Sequence, residues 1–127
     1  MKYLLIFIGS GIGGVLRFSL SRFVYNFSGE NFPFGTLLVN LLGCFVIGFL
    51  SGWLEDRLLP SEWRMFIFVG ILGGFTTFSS FGLETFNLLR NEETKYAIYN
   101  LIFTNIGGIL FVIFGFALSK LLIRLKI

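Results

Sequence analysis

An all-α membrane protein with four transmembrane helices is the fold class this sequence predicts, and three observations predict it. Apolar residues supply 55% of the chain and charged residues 13%, with a mean hydropathy of +0.85. A soluble domain of this size could not hide so much apolar surface. Four apolar segments, about residues 3–25, 34–54, 63–89 and 96–123, each approach the roughly 20 residues that span hydrocarbon. The third is interrupted by glycines and hydroxyls, so a break in that helix belongs to the prediction. All 127 residues form a single transmembrane domain.

Several function classes are excluded at this level. The net charge of +3 comes without a basic patch interleaved with polar residues, so no nucleic-acid partner is expected. Basic residues sit at the ends of apolar runs, where they meet lipid headgroups. There is no histidine and one cysteine, Cys44, which reads as a small packing residue. Zinc, haem and triad chemistry therefore have no ligands or nucleophile–base pair, and no enzyme is expected. The first apolar run continues through Arg17 without a small-x-small cleavage site, unlike a removable leader. The Asn26-Phe27-Ser28 sequon reads as coincidental.

The first helix carries Gly9, Gly11, Gly13 and Gly14, then Arg17 and Arg22. Arg17 lies well inside the apolar run. Two readings stand: a charge facing a cavity near a pathway mouth, or snorkelling to the headgroups. On the second helix, Thr36, Asn40 and Gly43 share one face. On the fourth, Asn100, Thr104 and Gly108 do the same. Interhelical hydrogen bonding and a transport path both account for such pairs.

The third helix carries the most unusual stretch, Gly70 to Glu84, reading G-I-L-G-G-F-T-T-F-S-S-F-G-L-E. Each interior glycine weakens a helix by about 1 kcal/mol relative to alanine. The hydroxyls of Thr76, Thr77, Ser79 and Ser80 compete for backbone hydrogen bonds. An opened backbone in a bilayer survives only where protein or water satisfies it. The expectation is that Gly73 to Thr77 leave helical form at an ion site. Close packing through Gly70 and Gly74 is the other reading of the glycines. Glu84 lies eleven residues beyond Gly73, roughly 16 Å along a helix, which places it toward the interface.

Short connections alternate the helix directions and put both termini on one face. That face holds Lys2, Arg57, Arg64, Lys120, Arg124 and Lys126; the other holds Arg17, Arg22, Arg90 and Lys95. Six against four is a weak orientation signal, compatible with insertion both ways. The segment interiors outside the third hold no acid, which argues against a proton-coupled cation exporter. Hydroxyls, amides and the electropositive rims of Phe75, Phe78 and Phe81 suit a small anion.

The motif G-x-x-G-G-F-T-T-F-S-S-F-x-x-E resembles the signature of the Fluc (CrcB) fluoride channels. So do G-G-V-L-R-F at residues 13–18, F-G-T-L-L-V-N-L-L-G at 34–43 and S-E-W-R at 61–64. The resemblance implies an antiparallel, dual-topology homodimer in the inner (plasma) membrane, with two pores. It implies a structural Na+ on the dimer axis, held by the main-chain carbonyls of Gly73 and Thr76. It assigns facing aromatics to Phe78 and Phe81, a pore amide to Asn40, and a vestibule cation to Arg17. Pore hydroxyls fall on Ser79, Ser80 and Thr104; Ser80 stands where threonine is commoner, and Gly108 where some relatives have a hydroxyl. Passive export of cytoplasmic fluoride, protecting against its toxicity, is the implied activity. The rivals are a small multidrug-type four-helix exporter, which needs a glutamate in the first helix, and a purely structural membrane subunit.

Overall fold

A computed structural model describes residues 1–126 as helices joined by short turns. Helix α1 is Lys2–Ser28 and α2 is Phe34–Leu54. Residues 61–75 form α3, with α-helical turns at Ser61–Arg64 and Gly73–Phe75 flanking a π-helical stretch, Met65–Leu72. Helix α4 is Phe78–Arg90 and α5 is Thr94–Arg124. Four spans are long and apolar enough to cross a membrane, the third being α3 and α4 together, Ser61–Arg90. The second span has the expected limits, and the other three overrun theirs by one to three residues at each end.

The turns follow from local chemistry. Gly29 closes α1 at φ 73°, a conformation cheap only for glycine, and its N–H donates to Tyr25 O at 3.1 Å. Pro33 and Pro60 precede α2 and α3, where a missing N–H costs no helical bond.

Glycines set the helix pairing. An added Cβ at Gly9 would meet Phe66 O at 2.7 Å and Gly70 Cα at 2.9 Å, and one at Gly13 would strike Ile71 O. Gly74 lies equally close to Ser10. Helices α1 and α3 therefore run side by side in the same direction through two four-residue glycine spacings. Gly48 and Gly52 bring α2 against Val112, Phe116 and Ser119 of α5, and Gly115 returns the contact to Phe45 and Phe49. Lipid tails are as apolar as side chains, so close van der Waals approach replaces the hydrophobic drive between helices. The fold is two parallel pairs, α1 with α3 and α2 with α5, running oppositely.

The lipid-facing surface is apolar, with Ile109 65% and Phe114 60% exposed. On the face bearing the termini, Lys120 bridges Glu55 at 2.5 Å and Asp56 at 3.7 Å. Arg57 stacks over Trp53 at 4.8 Å. Phe32, Tyr96 and Tyr99 cluster at the other end. Such aromatic and charged girdles mark the headgroup levels.

The third span departs from expectation in one respect. Only Thr76 (φ −78°, ψ 156°) and Thr77 (φ −148°, ψ 120°) are extended. Gly73 to Phe75 remain helical because Gly74 and Phe75 are pressed against α1, where the glycines serve close approach rather than unwinding.

Candidate functional site at the helix break

Two extended residues inside a span leave backbone groups without helical partners, and side chains supply them. Thr77 N–H, which in an unbroken helix would donate to Gly73 O, donates instead to Asn40 Oδ1 at 2.8 Å. Asn40 Nδ2 donates to Thr77 O at 3.0 Å. One amide thus does for Thr77 what a neighbouring strand would do. An amide nitrogen carries two hydrogens, so Asn40 keeps one N–H beyond this clamp. Gly43, one turn on, lets Thr76 approach α2: a Cβ there would strike Thr76 Cγ2.

Thr77 also starts α4. Its Oγ1 accepts from Ser80 N–H at 3.2 Å, the side-chain capping expected of a threonine with extended backbone. Its hydroxyl donates to Ser80 Oγ at 3.1 Å and lies 3.4 Å from Ser79 Oγ. Thr76 donates its hydroxyl to Leu72 O at 3.0 Å. The break therefore carries the carbonyl end of α3 and the amide end of α4, with opposite partial charges.

Arg17 reaches the break from α1. Its Nη1 donates to Thr76 O at 3.4 Å, so this arginine turns inward, whereas Arg22 is exposed and lies over Phe18 at 5.9 Å. The snorkelling reading fits Arg22 and not Arg17.

A cavity of about 330 Å3 opens beside the break. Its wall includes Gly73, Thr76, Asn40, Phe78, Phe81 and Thr104, six of the residues singled out from sequence. Phe78 and Phe81 hold their ring centroids 5.4 Å apart at 58°. Phe81 is buried, but Phe78 is 77% exposed and points out of the chain. Ser79, Ser80 and Arg17 stand outside this wall; Ser80 is engaged with Thr77, and Ser79 is exposed. No acid lines it.

Other members of the site were named from sequence without a site role. Thr77, read from sequence as a competing hydroxyl at the end of the expected break, is the clamp partner and cap. Cys44 lies in the cavity wall. Glu84 Oε1 accepts from Thr36 at 2.6 Å and from Tyr25 at 3.4 Å, near the ends of α1 and α2 as its position suggested. Its Oε2 is buried without a partner. Among the described residues no group of three His, Cys, Asp or Glu side chains could hold a metal. Gly73 O, deprived of Thr77 N–H, and Thr76 O are oxygen donors of the kind hard cations take.

These features define a class: a multi-pass helical membrane protein whose third span is broken and stapled open by an amide. The chain belongs to the CrcB-like protein family (Camphor Resistance, CrcB), whose sequence model matches residues 4–116. It is similar to a protein of Hydrogenobaculum sp. named "Fluoride-specific ion channel FluC", 42% identical over 96% of this chain and 100% of that one. A protein of the same name from Parabacteroides distasonis is 42% identical over 98% of both chains. Another from Aquifex aeolicus is 45% identical over 89% of this chain and 92% of that one.

Proposed function

We propose that this protein is a passive, fluoride-selective ion channel that exports cytoplasmic fluoride across the inner (plasma) membrane. Its relatives' names support the reading, and one observation carries it: the acid-free cavity at the break, walled by Asn40, Thr104 and the Phe78–Phe81 pair. Fluoride is strongly hydrated. A pore must replace its lost water with donors and positive edges at several weak sites. The spare Asn40 N–H, the amide end of α4 and the phenyl rims are such groups.

The working unit is an antiparallel, dual-topology homodimer with two pores. The exposed Phe78, beside a glycine with open space at Gly82, offers a face for the second copy. A structural Na+ on the dimer axis would be held by the carbonyls of Gly73 and Thr76, supplying positive potential and joining the copies. Arg17, donating to Thr76 O, adds positive charge beside that position.

The exporter reading lacks its glutamate, since Lys2–Ser28 contains no acid. Proteoliposomes containing only this protein test the proposal. Fluoride efflux driven by a potassium gradient with valinomycin is expected, independent of a proton gradient. Proton-linked cation movement would favour the exporter, and no flux the structural subunit.

A further inference from the structure

A file of hydrogen bonds leads from the cavity wall on α5 into α4. Thr104 lines the cavity, and its hydroxyl donates to Asn100 Oδ1 at 3.3 Å. Asn100 is 1% exposed; its Nδ2 donates to Thr85 Oγ1 at 2.9 Å. Thr85 donates its own hydroxyl to Phe81 O at 2.8 Å. A hydroxyl has one proton to give, so the direction of the file is fixed. The Thr104 proton points at Asn100 and away from the cavity.

The bond that holds it is weak. O–H···O bonds cluster near 2.7–2.8 Å, and this one is 3.3 Å, whereas the two bonds deeper in the file are short. A bare anion is a stronger acceptor than a neutral amide oxygen, because charge-assisted bonds are roughly twice as strong. We propose that Asn100 is a positioning residue for the anion path: it competes with the passing anion for the Thr104 proton and so weakens that site. Asn100 Oδ1 sets how strong an acceptor must be to turn the hydroxyl. The inference rests on the fluoride-channel reading of the cavity.

The alternative, a simple staple between α4 and α5, predicts something different. Proteoliposome flux is measured against fluoride concentration for the wild type, Asn100→Leu, Thr104→Val, Thr85→Val and the double variant Asn100→Leu/Thr104→Val. Asn100→Leu frees the Thr104 proton, and the half-saturating fluoride concentration is expected to fall by about threefold or more, the scale of one hydrogen bond. In the Thr104→Val background the same change shifts nothing. Thr85→Val loosens the staple but leaves the Thr104–Asn100 bond, and half-saturation stays put. An unchanged half-saturation in Asn100→Leu, or an equal shift with and without Thr104, overturns the inference. If Asn100→Leu does not assemble, Asn100→Ser, too short to reach Thr104, carries the same expectation. A wild type without flux overturns the channel reading instead.

Discussion

Asn40 is the side chain that meets the opened backbone of Thr77. Its amide oxygen replaces the helical acceptor of Thr77 N–H, and its N–H adds a donor to Thr77 O. Asn40→Leu leaves the buried Thr77 N–H unpaired, at a cost of about 1–3 kcal/mol. The expected result is a lower unfolding midpoint in detergent and at least a tenfold loss of fluoride flux, read together on one preparation. Asn40→Asp keeps the acceptor for Thr77 N–H and is expected to lose less stability than flux. The aromatic residues separate the other way. Phe78→Ile and Phe81→Ile keep apolar bulk but remove the ring edge, so sharply reduced flux with intact dimers on size exclusion is the expectation. Normal flux in both would remove the aromatic role. Asn40 was legible from sequence as an amide needing a partner. That its partner is the Thr77 backbone was not, because nothing in the sequence shows which opened group an amide will find.

At the scale of elements, glycine serves two purposes that sequence does not separate. Glycines weaken helices, which led the expected break to begin at Gly73; they also admit close neighbours, which is what Gly74 does against Ser10. The threonines open instead, since Asn40, Ser80 and Leu72 satisfy them. The π-helical turns of Met65–Leu72 were equally unreadable, because a five-residue hydrogen-bond step leaves no side-chain pattern. The pairing makes its own prediction. Gly13→Ala and Gly115→Ala place a methyl in neighbouring backbone, and a large loss of folded yield is expected for both. Gly11→Ala meets open space and gains helix propensity, so its single-chain fold is expected to hold. Equal tolerance at all three positions would contradict the pairing.

At the scale of the whole molecule, the four spans were legible because each is a long apolar run, and lipid makes that signal almost sufficient. For assembly, the charge pattern offered only a weak orientation bias, six basic residues against four. The structure adds an exposed Phe78 in the cavity wall, paired within the chain with Phe81. If Na+ joins two copies through Gly73 and Thr76, exchanging sodium for a large organic cation is expected to lower the dimer's melting midpoint. An unchanged midpoint would count against the ion.

Tethered copies test the account most directly. An even number of spans puts both termini on one face, so a plain linker forces two copies parallel, and one inserted transmembrane helix forces them antiparallel. Fluoride efflux is then measured from proteoliposomes of each tethered form. Efflux near the wild-type rate is expected from the antiparallel form and none from the parallel one. Equal efflux from both, or none from the antiparallel form while the untethered protein conducts, would contradict it.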